Sequence, residues 1–501
     1  MDISIFLTSG MAILIGLFVG MLMGALPGLG LMLAISLLLP LSYNMEALPS
    51  ILMLLGVYQG AEYGGSISAI LLGIPGTAMA AATQLDGQPF AQNKSPGKAL
   101  AYSLTASTIG GLFGGLVLIF LSKPLTAFAL KLGEPEYFML GVIGLLAVAA
   151  LGSADSVKAS ISIILGLMAA TVGIDMFTGM PRFTGGVLAM SDGINIIALV
   201  VALFAFTEIF SMISGDLNKK RKLLSKELKV KLSFKELREV AKPIGIGSLM
   251  GAVVGIIPGL GSNASSWFAY MAAKKTAKDP LSFGKGNPDG IAAPESANNA
   301  TVGGALLPLL TLGIPGSASI AIIAGAFIIH GIQPGPQVLK NNPELINAIF
   351  IGFMFTTVGM YIMGKFMTSL FARILVLRES FLVPAILVFS LIGVYTSQNS
   401  HFDLWLALVL GVIAYVLRLL DFSVAYFILA FVLCPIIETS MRRMIILAQG
   451  DISFYFGRPI FVVLAAVVAV ILLVALKNTL KDRKLAKLTH RREAEGESVH
   501  Q

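Results

Sequence analysis

The chain has 501 residues, 56% hydrophobic and only 12% charged, with 53 glycines and one cysteine. A soluble domain carries about 25% charged residues, so half that density cannot coat a water-facing surface. The formal net charge of +8 does not indicate nucleic acid either: ten of the 35 Lys and Arg residues fall in 219–242 and seven in 477–492. Each segment flanks a long apolar run, the positive-inside pattern of cytoplasmic segments. The single Cys434 cannot form an internal disulfide or supply a thiolate metal cluster.

Apolar runs long enough to cross a bilayer, about 20 residues each, recur from end to end. The first, 3–26, has no basic residue before it and no secreted-type region after it, so it reads as a retained span rather than a cleaved signal. Further runs follow at 48–72, 99–122, 137–152, 156–174 and 193–213. After the basic insertion 214–243 come 244–273, 296–339, 346–368, 381–397, 402–418, 422–438 and 459–476, the second of which is too long for one span. Alternating strand patterns are absent, so helices must satisfy the backbone. The expected fold is an all-α polytopic membrane protein of roughly 10–12 transmembrane helices. Its expected parts are a first transmembrane repeat (1–213), a basic cytoplasmic linker (214–243), a second repeat with additional spans (244–476) and a basic cytoplasmic tail (477–501). The linker reads as a solvated helix rather than a lipid or partner site.

Four motifs, PGLG, GG, GIPG with a following hydroxyl, and a Gln-Pro turn, recur in the same order. GALPGLG (24–30), YGGSISAILLGIPGT (63–77) and DGQP (86–89) return as IIPGLGSNASS (256–266), NNATVGGALLPLLTLGIPGS (298–317) and HGIQPGP (330–336). The offset is 231 positions from Pro27 to Pro258 and 240 from Pro75 to Pro315, which argues for duplication. The connection after the first PGLG carries Glu46 and no Lys or Arg, whereas the second carries Lys274, Lys275, Lys278 and Lys285. After GIPG the bias weakly reverses, with Lys94 and Lys98 against Lys340 and Glu344. Under the positive-inside rule the two copies are therefore inverted, a recurring plan of secondary transporters.

Gly-Pro pairs break helices, and backbone freed at membrane depth must be buried in protein or line a polar cavity. Exposed helix N-termini offer amide donors to anions. The expected substrate and ion site is built from Gly28, Gly30, Gly64, Gly65, Ser66, Gly76 and Thr77 in the first copy. From the second come Gly259, Gly261, Ser262, Asn263, Asn298, Asn299, Thr301, Gly316 and Ser317. Neutral donors suit a carboxylate, and amide, hydroxyl and backbone oxygens suit Na⁺. The alternative for any lone small residue is close helix packing. Glu62, Glu208 and Glu295 are carboxylates within apolar sequence, and Glu62 is the best candidate cation or proton site. His330 and His401 read as interfacial residues. No G-x-x-x-x-G-K-[ST], HExxH or catalytic set is present, so neither ATP hydrolysis nor another enzyme activity is expected, and no cofactor or tightly bound metal.

GALPGLG, YGGSISAILLGIPGT, DGQPFAQNKSPGKAL and PESANNATVGGALLPLLTLGIPGSASIAIIAGA together resemble the large membrane subunit of tripartite tricarboxylate transporters, the TctA family, over nearly the whole chain. The resemblance implies a multi-pass subunit of the bacterial inner membrane, working with a small four-span membrane subunit and a periplasmic solute-binding protein. It implies import of a small organic anion, a tricarboxylate such as citrate or a related acid, driven by Na⁺ or H⁺. A looser relation to carboxylate:cation symporters would make Ser262, Asn263, Asn298, Asn299 and Thr301 ligands, and membrane lipid is the remaining expected contact. A passive organic-anion channel is the competing reading; it would need neither a cation gradient nor a binding protein.

Overall fold

The computed structural model describes residues 3–26, 29–151, 156–215, 228, 231–257, 261–374 and 379–473; within these, the side chains of 3, 147–151, 156, 261–263, 371–374 and 379–382 are left undescribed. The first half runs α1 (Ile3–Ala25), α2 (Gly30–Ser42), α3 (Ala47–Leu72), α4 (Ala80–Asn93), α5 (Pro96–Ala129), α6 (Glu134–Leu151) and α7 (Ser156–Ala170). A short hairpin, β1 (Gly173–Ile174) with β2 (Pro181–Arg182), precedes α8 (Ile196–Val200), which continues through a π-helical stretch into α9 (Thr207–Ser214). The second half runs α10 (Phe234–Glu239), α11 (Ala241–Ile256), α12 (Gly261–Thr276), α13 (Asp289–Leu312), α14 (Ala318–Ile329), α15 (Pro336–Asn341) and α16 (Pro343–Ile374). It closes with α17 (Glu379–Gln398), α18 (His401–Leu419), α19 (Val424–Ala448), α20 (Ser453–Phe456) and α21 (Pro459–Leu473).

The fold is an all-α polytopic membrane protein. Among the described residues six helices are long and apolar enough to cross a bilayer, and six shorter apolar helices accompany them. The long run 296–339 divides at GIPG into α13 and α14, and 244–273 divides at PGLG into α11 and α12. Helix α4 lies outside every apolar run, because Gln84, Asp86 and Gln88 dilute its hydropathy. Of the basic insertion, 216–227 and 229–230 lie outside the described residues, as does the tail from 474; α10 opens with a capping box in which Ser233 and Glu236 satisfy each other's backbone N–H.

The duplication is visible in the packing. Gly16, Gly20 and Gly24 of α1 lie against the backbone of Met53, Val57 and Ala61 of α3. In the second half, Gly247, Gly251 and Gly255 of α11 lie against Ala293, Ala297 and Thr301 of α13. The glycines are offset by 231 positions (247 − 16) and their partners by 240 (293 − 53), the same offsets as the PGLG and GIPG motifs. Small residues every fourth position let backbones touch, which is how helices associate where lipid removes the hydrophobic drive. Both contacts are parallel, since partner numbers rise together.

The equivalents α3 and α13, by contrast, cross antiparallel. Ser66 reaches Glu295, the Glu62 carbonyl accepts from Asn298, and Tyr58 reaches Ser317. The repeats therefore run in opposite directions. Helix α5 packs alongside α13, with Gly110 and Gly114 against Ser296 and Ala300, and α16 packs alongside α3. As a result residues 48–71 and 290–311 are all buried. Only helices screened from lipid on every side can hold this many polar side chains.

On the face of the molecule at the C-terminal ends of α5 and α13, ion pairs fasten the β-hairpin to α19. Arg442 donates to both Asp175 oxygens at 3.1 and 2.9 Å, and Arg182 Nη1 meets Glu438 Oε1 at 2.6 Å. The Phe177 backbone N–H and Arg442 hold the Asp175 carboxyl down at about 2. Its folded value is depressed, so this tether is fully present above the ordinary carboxylate range and is lost as pH falls from about 4 to about 2. Hydrogen exchange of 173–182 should accelerate across that interval in the wild type, and Asp175→Asn should show the fast rate already at pH 7.

A Cβ at Gly20 would lie 2.4 Å from the Val57 carbonyl oxygen, whereas nothing lies within 4 Å of one at Gly10. Gly20→Ala should therefore cost about 1–3 kcal/mol in detergent thermal unfolding. Gly10→Ala should stay within about 0.5 kcal/mol of wild type; equal effects would refute the contact.

Candidate functional site

Where α3 and α13 cross, helix breaks bring further polar groups inward. Each helix ends on a left-handed glycine, Gly73 (φ 68°) and Gly313 (φ 77°), a conformation that L side chains resist. After Gly73 the chain folds back so that Gly76 lies on the Gly24 carbonyl and Thr77 against Gly65. After Gly313 it does the same, and Gly316 lies on the Gly255 carbonyl beside Ala305. Gly65 and Ala305 are again 240 positions apart (305 − 65).

The first cluster surrounds Glu295, which is fully buried on α13. Ser66 of α3 and Thr83 of α4 donate to Oε1, both at 2.5 Å; Ser103 and Ser107 of α5 donate to Oε2 at 2.9 and 2.8 Å. Four donors occupy the lone-pair positions of a carboxylate, and all four come from the other repeat. Ser66, expected at the substrate site, is thus a donor to Glu295.

The second cluster is less satisfied. Glu62 is buried on α3 beside Thr77 and Asn298, close enough to Glu295 for the carboxylates to repel. Asn298 directs Nδ2 to the Glu62 carbonyl at 3.4 Å. Glu62 Oε2, Thr77 Oγ1 and Asn298 Oδ1 make no well-formed hydrogen bond, and the same holds for both polar atoms of Asn299 and for Gln59 Nε2. Gln59 Oε1 accepts from Thr357 at 2.8 Å. A Cβ at Gly111 would touch both Thr357 and Asn299, so α5 brings the two carboxamides into one neighbourhood. Gln59 and Asn299 are repeat equivalents, 240 positions apart. Gln59 was not among the residues expected from sequence; applying the GIPG offset to Asn299 finds it.

Other expected residues take different places. Gly64 packs on Met21 of α1, and Gly30 (φ 66°) lies under the Gly76 carbonyl. Thr301 faces away from Glu62, donating to Ala297 at 2.7 Å and Gly251 at 3.2 Å and meeting Ser265 at 2.8 Å. Ser317 caps α14 by accepting from the Ile320 N–H at 3.3 Å. Gly28 and Gly259 lie outside the described residues. Gly261, Ser262 and Asn263 open α12, with side chains likewise outside the description. Glu208 is paired with Arg418 at 2.5 Å.

Cavities lie at both ends of α13. At its N-terminal end one of ≈ 590 Å³ is lined by Lys94, Ser282, Lys285 and Asn287. Beside it buried Asp86 of α4 accepts N–H bonds from Gly284, Gly286 and Asn287 at 2.9, 2.9 and 2.7 Å and from the Tyr270 hydroxyl at 2.9 Å. At the other end one of ≈ 520 Å³ is lined by Tyr137, Gln333, Gln337, Ser440 and Arg443, the last paired with Glu134 at 3.0 Å. A 24-residue helix is about 36 Å long, so the polar clusters lie between two openings on opposite faces.

Removing either donor from Glu295 Oε2, as Ser103→Ala or Ser107→Ala, should lower stability by about 1–3 kcal/mol. The double variant leaves that oxygen without a donor and should cost more than the two together. Additive losses in thermal unfolding would contradict a carboxyl group coordinated by all four hydroxyls.

A model of the tripartite tricarboxylate transporter TctA family matches residues 11–429. An Agrobacterium vitis protein described as an uncharacterized 52.8 kDa protein in the TAR-I ttuC' 3' region is 36% identical over 470 residues, 94% of this chain and 93% of that one. A second protein of that organism, described as an uncharacterized protein in the TAR-II ttuC' 3' region, is 35% identical over 234 residues, 47% of this chain and 97% of its own. No solved structure matches.

Proposed function

Because the chain belongs to the tripartite tricarboxylate transporter TctA family, and is thus a multi-pass membrane subunit of such a transporter rather than an enzyme, we propose that it is the permease through which a carboxylate is imported with a cation gradient. In this reading it sits in the bacterial inner membrane beside a small four-span subunit. A periplasmic solute-binding protein delivers a di- or tricarboxylate to the cavity that holds Arg443.

The observation that carries the reading is the pair of repeat-equivalent carboxamides, Gln59 and Asn299, buried at the crossing with amide groups lacking a partner. Amide N–H groups are neutral donors that match carboxylate oxygens, and an unmet buried donor is costly enough to select for a ligand that meets it. The PGLG turns, with Gly28, Gly30, Gly259 and Gly261, would present helix N-termini, and Ser262 and Asn263 would add side-chain donors. A cation neutralises the anion, because moving unpaired charge across the bilayer is costly. Opposed repeats then supply the two access states: opening toward the Lys94 cavity requires releasing Asp86 from the 284–287 turn, and opening toward the other face requires rearranging the Glu134–Arg443 side.

The test is uptake of labelled citrate and other carboxylates into proteoliposomes holding this chain and its small partner. The panel is run with and without the binding protein, under imposed Na⁺ or H⁺ gradients. Accumulation should require both gradient and binding protein. Gln59→Ala and Asn299→Ala should each reduce uptake by roughly tenfold or more at normal membrane abundance. Equilibration indifferent to gradient and binding protein would overturn the reading in favour of a passive channel.

A further inference from the structure

Glu62, Thr77 and Asn298 each leave an oxygen without a hydrogen-bond donor, Oε2, Oγ1 and Oδ1, and all three residues are at least nine-tenths buried. They come from three separate stretches, α3, the turn after Gly73, and α13, yet Thr77 and Asn298 are the immediate polar neighbours of Glu62. Asn298 has its amide nitrogen engaged by the Glu62 carbonyl, which leaves its oxygen as the free end. A group of oxygens that finds no donors is a set of acceptors arranged for a cation.

The neighbourhood selects which cation. Glu295 has four hydroxyl donors at its acceptor positions and needs nothing further. Glu62, nearby, has only Thr77 and Asn298 within reach, with Oε2 left unmet, and two carboxylates cannot both stay charged in a dry interior without a positive charge beside one of them. A proton on Glu62 would join the three oxygens only through a chain that also spends the Thr77 hydroxyl as a donor, and Thr77 Oγ1 makes no such bond. A hard metal cation meets all three at once. One carboxylate with neutral hydroxyl and amide oxygens matches a single positive charge, and among the described residues no three His, Cys, Asp or Glu side chains converge as a divalent site would need.

We propose that Glu62, Thr77 and Asn298 form the binding site for the coupling ion, and that the ion is Na⁺. The proposal rests on the transporter reading for the word coupling, but not for the site. Its ligands belong to both repeats, so the ion fastens α3 to α13. Asn298 precedes Asn299, so the helix that the ion positions is the one that presents a carboxamide to the substrate. Binding order follows: Na⁺ sets α13 before the carboxylate is held.

The experiment is thermal unfolding of the full chain in detergent, without carboxylate, in NaCl, KCl or choline chloride at constant ionic strength and at pH 6, 7 and 8. The wild type should gain stability saturably with Na⁺ alone, at a midpoint concentration little changed by pH. Glu62→Gln and Thr77→Val should raise that midpoint by more than about tenfold while unfolding in choline at a temperature no lower than wild type. If Glu62→Gln does not fold, Thr77→Val alone carries the comparison. Equal unfolding temperatures in all three salts, or stabilisation that follows pH rather than Na⁺, would overturn the proposal. Binding-protein-dependent uptake by a protein indifferent to Na⁺ would sink this site alone. Na⁺ stabilisation of a protein that moves no carboxylate would sink the transporter reading alone.

Discussion

A carboxylate without exposed surface cannot be left to its own helix, whose amides are already spent on the backbone ladder. Glu295 meets this constraint with hydroxyls of Ser66, Thr83, Ser103 and Ser107, all from the opposite repeat. Each charge-assisted bond contributes about 1.5–3 kcal/mol, and together they offset much of the cost of burying the charge. The arrangement also fixes register: α13 can slide against α3, α4 and α5 only by giving up donors. The crossing of α3 and α13 thereby becomes a defined place, and the less satisfied groups, Gln59, Glu62, Asn298 and Asn299, are held around it.

Close approach makes that crossing possible. Gly16, Gly20 and Gly24 bring α1 onto α3, and Gly247, Gly251 and Gly255 bring α11 onto α13. Both PGLG hairpins lean on their neighbours through backbone rather than side chains. Lys242 donates to the Thr276 carbonyl at 2.7 Å, which brings the far ends of α11 and α12 together. Glycine spacing thus governs how closely these helices pack, and the broken helix ends carry the proposed function.

Much of this was legible in the sequence. Low charge and recurrent apolar runs fixed the class, and the Gly-Pro motifs located the breaks at Gly73 and Gly313. The charge difference after the two PGLG turns anticipated opposed repeats, and the equivalents α3 and α13 do cross antiparallel, with Ser66 on Glu295 and Asn298 on the Glu62 carbonyl. Helix α4 escaped notice because periodicity of apolar residues is the main signal, and Asp86 is buried by hydrogen bonding rather than by hydropathy. The role of Ser66 was hidden for a different reason: its partner lies 229 residues away, beyond any local pattern. Gln59 sits in an unremarkable stretch and becomes visible only when the repeat offset is applied position by position. Gly64, Gly76 and Gly316 lie at backbone contacts, the packing alternative that small residues always carry.

Family membership gives the subunit its class, and under the proposed function the opposed repeats would supply the physical route to alternating access. That claim stands or falls on topology. With Cys434 replaced by serine the chain has no cysteine, so single cysteines can be placed at Met45, after the first PGLG hairpin, and at Lys278, after the second. Labelling intact cells with a membrane-impermeant maleimide measures which face each occupies. The account predicts that the cysteine at position 45 reacts from outside and the one at 278 only after permeabilisation; reaction of both from the same side would contradict it.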